Sequence, residues 1–236
     1  MKLQALIGSA FQYYTESLGV EQSALAMNYR SHPKIVDCIK ALNLYEGLDA
    51  HFKTEQLIKH VTLNEPSTGR LTELDSSWLR ELFTPEVITA AIVHSHEKDA
   101  LLSVVEARLA RDAIITFYRL YEPQDAAEEL VFWEKRVGVV SPHNAHGALI
   151  IRELVQALTQ EGQKLSKLPS DELKGALKGC VASVEKFQGG ARDFIISSYG
   201  VSSVDKMKSE EEFLFNMNRF NVLISRARCK VLVIAS

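Results

Sequence analysis

The sequence has very little cysteine. Its three, Cys38, Cys180 and Cys229, lie far apart and form no Cys-x-x-Cys pair. That excludes a disulfide framework and argues against a structural zinc site. Long apolar runs are missing too: nothing reaches the roughly eighteen consecutive apolar residues that a membrane-spanning helix needs. The N-terminal run "LQALIGSAFQYY" is broken by polar residues and has no clear cleavage signal. A reducing interior, cytoplasmic or nuclear, is therefore expected. An excess of positive charge is also lacking. The net charge is −3 over 236 residues, so there is no bulk electrostatic pull on nucleic acid, and any such binding must come from a local cleft. Internal repeats and low-complexity tracts are absent as well.

What is present is a chain long enough for one large domain or two small ones. Runs rich in β-branched residues stand out at "EVITAAIV" (86–93), "VGVVS" (137–141), "CVASV" (180–184), "DFIISSYGV" (193–201) and "KVLVIAS" (230–236). Near-continuous apolar strands imply burial on both faces, as in parallel sheets. Amphipathic stretches separate several of them. One carries Val105, Leu109, Ala113, Phe117 and Leu120, and a second opens near Asn144 with Ile150, Leu154 and Leu158. A third is expected through "EFLFNMNRFNVLISRAR". Strands alternating with helices predict a doubly wound α/β sheet. Residues 52–86 carry a turn-rich loop and no placeable element, and "VDKMKSEEE" (204–212) reads as a solvated loop.

Four stretches could carry chemistry. In the last expected helix, Phe213, Met217, Phe220, Ile224 and Ala227 would form one stripe against the sheet. Arg219 and Arg226, seven residues apart, would share the opposite face, and Arg228 would fall back toward the buried side. The pair is either a solvated arginine face or a guanidinium held across a cleft from a phosphoryl group. In "EKFQGGARD" (185–193) the glycines allow close backbone approach to a ligand, and Gln188 offers a donor and an acceptor. Taken alone, these residues fit a plain turn between neighbouring strands better. In "NYRSHPKI" (28–35), Pro33 biases His32 away from helix, and Arg30 precedes a helix start, where anions are favoured. A surface arginine beside a cap is the alternative. In "VVSPHNAHG" (139–147) a buried strand ends and Pro142 sets a turn. Ser141, His143 and Asn144 then sit where open α/β sheets hold ligands, or simply make a capped turn. His143 and His146 have no carboxylate or cysteine at matching spacing, so no metal site is expected.

Taken in order, "NYRSHP", "VGVVSPHNAH", "VASVEKFQGGARDFIISS" and "NRFNVLISRAR" resemble the successive motifs of the second RecA-like domain of superfamily 1 helicases. The branch containing the nonsense-mediated-decay helicase is the nearest. Its forms are roughly "QYRMHP", "ITPYNAQ", "TVDKFQGQERD" and "NVALTRAR". The likeness runs from about residue 20 to the C-terminus, with 52–130 matching only in outline. It implies a RecA-like fold for 1–236 as one domain, with 1–20 a linker and 52–86 an irregular insertion. It implies that Arg30 sits near the γ-phosphate of ATP and that Arg226 is an arginine finger. Gln188 and Gly189 would line the nucleotide cleft. Ser141, Pro142, Asn144 and Ser183 would contact the backbone of single-stranded RNA or DNA.

Two departures matter. Ala191 stands where the family has glutamate, and Asn28 where it has glutamine. Moreover, no Gly-x-x-x-x-Gly-Lys-Ser/Thr loop occurs, and no strand ending in Asp-Glu precedes "NYRSHP". In the family both belong to a first RecA-like domain. ATP and Mg2+ are therefore expected to bind only with that first domain, supplied in cis or in trans, and the chain alone should not hydrolyse ATP. The alternative is a non-catalytic nucleic-acid- or protein-binding module descended from such a motor. An unrelated α/β enzyme would need a catalytic group of its own, and no Ser-His-Asp or Cys-His arrangement has local support.

Overall fold

Five strands make one wholly parallel sheet in the computed structural model, which describes residues 13–21, 26–45, 47–51, 77–94, 102–160, 164–187, 190–211 and 216–236. The strands are β3 (Thr89–Val93), β4 (Val137–Val140), β5 (Val181–Ala182), β6 (Arg192–Ser198) and β7 (Ala227–Ala235). Their spatial order is β3-β7-β6-β4-β5, so the last strand in the chain lies between β3 and β6. Every neighbouring pair runs parallel. A separate two-residue parallel pair joins β1 (Met27–Asn28) to β2 (Asp49–Ala50).

Side chains alternate across a strand, and here both sides are buried. Val137 and Val139 of β4, Phe194 and Ile196 of β6, and Leu232 and Ile234 of β7 enter one core. Val140, Ile195 and Val231 enter the other. The first core is closed by α2 (Ser77–Leu82), α3 (Val104–Tyr121), α4 (Ala126–Val131), α5 (Asn144–Thr159) and α6 (Ser170–Cys180), with a π-helical turn at Phe132–Arg136. The second is closed by α1 (Pro33–Ala41) and α8 (Met217–Ile224). A shorter helix, α7 (Val204–Ser209), follows β6. This is the α/β arrangement of a RecA-like domain.

The helices follow from local chemistry. Pro33 at the first turn of α1 fits because its missing N–H would have no partner there, and His32 before it is extended and accepts from Lys34 N. On α5, Ile150, Leu154 and Leu158 repeat every four residues and are all fully buried. Each such side chain contributes about 1.5–3 kcal/mol by leaving water, so this stripe alone fixes how the helix meets the sheet. On α3 the buried face is wider than expected. Ala113, Phe117 and Leu120 are buried, Val105 and Leu109 only half so, and Glu106, Ala107, Ala110 and Ile114 join the interior.

Several expectations are corrected. The last helix does not run through to Arg228. It ends at Ile224, and Ala227 already opens β7. Arg219 and Arg226 therefore do not share a helix face. Met217 is exposed, while Phe220, Leu223 and Ile224 face inward, and Phe213 lies outside the described residues. The run at 180–184 yields only a two-residue strand, because α6 extends to Cys180. The stretch 204–212 is not simply a loop, since α7 forms in it. Within 52–86, Ser77–Leu82 are helical, and residues 52–76 lie outside the described residues.

Candidate functional site

A parallel sheet puts all strand starts at one rim and all strand ends at the other. Arg226 immediately precedes β7, at the rim of strand starts. Residues 28–32 run beside it. His32 N donates to Arg228 O at 2.7 Å and Ser31 Oγ donates to Ala227 O at 2.7 Å. Asn28 shapes that run: its Oδ1 accepts from Arg30 N at 2.8 Å and from Ser31 N at 2.9 Å. Arg30 then donates Nη1–H to Ser225 O at 3.1 Å, and Arg226 donates Nε–H to Val222 O at 3.3 Å. The two guanidinium groups are thus neighbours that, among the described residues, meet backbone carbonyls rather than carboxylates. Burial first, and Arg30 second, push the Arg226 pKa down, which marks two like charges held together. Tyr45, whose hydroxyl accepts from Asn221 Nδ2 at 2.8 Å, stands near the same pair.

The other arginines of this rim differ. Asp193, buried at a register break between β6 and β7, bonds Arg136 Nη1 at 2.8 Å and Arg228 Nη1 at 3.2 Å. The charge of Arg228 is therefore met by a buried carboxylate. Arg192 lays its guanidinium over the Phe187 ring, 5.5 Å from its centre, and donates to Ala191 O.

At the opposite rim, β4 ends in Ser141, Pro142 and His143 before α5, and β5 ends before Ser183. Ser141 N donates to Ala182 O at 3.1 Å, which holds these two strand ends side by side. Asn144 is exposed, and Pro142 and Ser183 are half-buried. Ser141 is buried, with its hydroxyl donated to His143 O at 3.3 Å, so its side chain shapes the turn from within. His143 Nε2 lies 3.1 Å from Glu210 Oε2, and the same carboxylate meets Lys206 of α7.

One segment joins the two rims. It leaves β5 at Ser183, makes a 3-10 turn over Val184–Phe187, and reaches β6 at Arg192. Gly138 in β4 makes room for it, since a Cβ there would lie 2.9 Å from the Phe187 ring and 3.1 Å from Arg192 Cγ. Gly190 N donates to Phe187 O, and Arg192 N donates to Arg226 O at 2.9 Å. Gln188 and Gly189 lie outside the described residues. The structure thus brings Arg30 and Arg226 together at one rim. It sets Ser141, Pro142, Asn144 and Ser183 together at the other.

Sequence reasoning missed a buried polar cluster at the rim of strand ends. Glu106, in the first turn of α3, is fully buried and accepts from Ser198 Oγ and from Gly200 N, each at 2.9 Å. His146 Nε2 lies 2.7 Å from Ser198 Oγ, and His94 Nε2 lies 3.6 Å from Glu106 Oε1. The spacing Ser103-x-x-Glu106 was the available signal, a capping-box pattern at a helix start. Ser103 Oγ does cap Glu106 N at 3.0 Å, but the glutamate turns inward. No described helix is long and apolar enough to cross a membrane, and no group of three or more His, Cys, Asp or Glu among the described residues could hold a metal ion.

Comparison with known proteins agrees with this architecture. A family model described as an AAA domain matches residues 6–236. A Danio rerio protein named as a helicase, mov-10-B.2, is 23% identical over 218 residues. That match covers 91% of this chain but 19% of the relative, so the chain spans about a fifth of the relative's length. Matched across nearly its whole length and built on a parallel sheet with helices on both faces, the chain belongs to the AAA domain family, as a superfamily 1 helicase-like domain.

Proposed function

We propose that the chain is the C-terminal motor half of an ATP-dependent superfamily 1 helicase acting on single-stranded RNA or DNA. In this role Arg30 and Arg226 form the half of the nucleotide site that meets the terminal phosphate. Two adjacent guanidinium groups whose partners among the described residues are backbone carbonyls suit a multiply charged anion, since planar donors match phosphate oxygens. ATP bound there supplies the phosphoryl group whose transfer to water drives the motor. Arg226 supplies positive charge where negative charge develops, and its bond to Val222 O holds it ready. The described residues do not fit a magnesium ion by themselves. Its carboxylate and the lysine loop belong to the first RecA-like domain, in cis or in trans.

At the far rim, Pro142, Asn144 and Ser183 take the nucleic-acid backbone, a sequence-independent contact. Ser141 acts by shaping that turn. The observation that carries this assignment is the segment from Ser183 to Arg192. It touches the nucleic-acid rim at one end, and at the other its backbone bonds Arg226. A change at the phosphate can therefore reach the strand path through the segment from Ser183 to Arg192. A second reading, a binding module that has lost catalysis, is favoured by Ala191, whose side chain cannot hydrogen-bond. One experiment separates them. Fuse the chain behind a first RecA-like domain and measure ATP hydrolysis with and without a single-stranded oligonucleotide. Stimulated hydrolysis in the fusion, and none in the 236-residue chain, is the motor outcome. Binding without hydrolysis in the fusion is the module outcome.

A further inference from the structure

The nucleic-acid rim stands on a buried cluster whose carboxylate, Glu106, lies outside all four functional motifs. Its geometry resembles a catalytic triad in composition only. Ser198 donates its single proton to the Glu106 carboxylate, so its oxygen is left to accept from His146 Nε2–H. The hydroxyl therefore sits between the histidine and the carboxylate. In a nucleophilic triad the histidine takes the middle place. Ser198, Glu106 and His146 are also all fully buried, so no substrate reaches them.

What the cluster does is tie four elements at one rim. Glu106 belongs to the first turn of α3, Ser198 to the end of β6, and His146 to the first turn of α5. His94 follows β3. Gly200 adds the loop after β6: its N–H donates to Glu106 and its carbonyl accepts from Ser103 N. That loop is held tightly: Gly200 has φ +76, and a Cβ on it would lie 2.3 Å from the His146 ring. Burial pushes the Glu106 carboxyl up, while Gly200 N–H, the Ser198 hydroxyl and His94 oppose that shift. Further along, Arg111 of α3 bonds Glu153 of α5 at 2.9 Å. The two helices therefore have a second fastening away from the rim, and losing the cluster loosens their first turns without separating them.

We propose that Glu106 is a positioning residue for nucleic-acid binding: through Ser198 and His146 it fixes the first turn of α5 that presents Pro142 and Asn144, and through Gly200 it fixes the loop beside it. This rests on the assignment of that rim to nucleic acid. The test uses the 236-residue chain and two fluorescein-labelled single strands, twelve uridines and twelve deoxythymidines, with affinity read by anisotropy and folding by thermal melting. Ser198→Ala removes the link while leaving the carboxylate its Gly200 partner, and Glu106→Gln keeps the shape but removes the charge. Both should weaken binding about tenfold, the scale of one hydrogen bond to a charged group. His146→Gln, whose amide can still donate to Ser198, should stay within about twofold of wild type. Leu158→Ala, at the other end of α5, should lower the melting temperature and leave affinity unchanged.

Wild-type affinity in both folded Ser198→Ala and Glu106→Gln overturns the inference. So does an equal loss in Leu158→Ala, which would make the effect one of general stability. If Glu106→Gln does not fold, Ser198→Ala alone decides. Binding of neither strand by the wild-type chain overturns the nucleic-acid rim itself, and this inference with it.

Discussion

A single imidazole shows how a residue can serve two levels of structure at once. The His32 ring caps α1 by accepting from Lys34 N, and the His32 backbone N–H anchors the arginine-bearing segment to Arg228 O. The cap needs an unprotonated Nδ1. Burial first, then Lys34 and Lys230, push the His32 pKa below its ordinary 6.5, with Asp37 opposing. Between the folded and unfolded values the unfolded chain binds the extra proton, so stability rises with pH across that window and is lost as pH falls below about 6.5. Asparagine can cap but does not titrate. Melting curves should therefore coincide near pH 7.5 for wild type and His32→Asn. Near pH 5.5 wild type should fall behind by on the order of one or two degrees. Parallel curves at both pH values would remove His32 from this role. The contrast with Glu106 shows what a sequence can reveal at this scale. His32 was legible because Pro33 constrains it locally. Glu106 was not legible, because what makes it internal is Ser198 and Gly200, more than ninety residues away.

At the scale of elements, periodicity was reliable where one face is buried along a whole helix and failed where the chain changes structure in mid-pattern. Ile150, Leu154 and Leu158 announced α5. The run from Phe220 to Ala227 kept helical spacing across a true boundary. There β7 gains hydrogen-bonded neighbours on both sides, β3 and β6, which outweighs local propensity. The helix α6 was unseen because Gly175 and Gly179 weaken its pattern. Burial of Leu173, Leu177 and Cys180 holds it regardless. The segment between the rims yields the prediction for this scale. Gly138→Ala would push a methyl into the Phe187 ring. Overpacking of this kind costs about 1–3 kcal/mol. In the fused motor it should also lower nucleic-acid stimulation of ATP hydrolysis more than basal hydrolysis. Equal loss of both rates, or no loss, would show that the segment does not couple the rims.

Among the described residues, the five-stranded parallel sheet carries a paired-arginine rim at its strand starts and, at its strand ends, the rim proposed for nucleic acid. The fold class and the sharing of a rim by Arg30 and Arg226 were legible from four short motifs in sequence order. The partner of Arg228 was not, since only the fold brings Asp193 near it, and the inward turn of the Ser141 hydroxyl onto His143 O was missed although that partner is local. The central claim is that position 226 supplies charge to a phosphoryl group bound mainly by another domain. Its most direct test is oligonucleotide-stimulated ATP hydrolysis by the chain fused to a first RecA-like domain, compared with the same fusion carrying Arg226→Ala. The account predicts a fall of about 10³-fold or more in the variant, with nucleic-acid affinity retained. A variant that hydrolyses ATP as fast as its parent would contradict it.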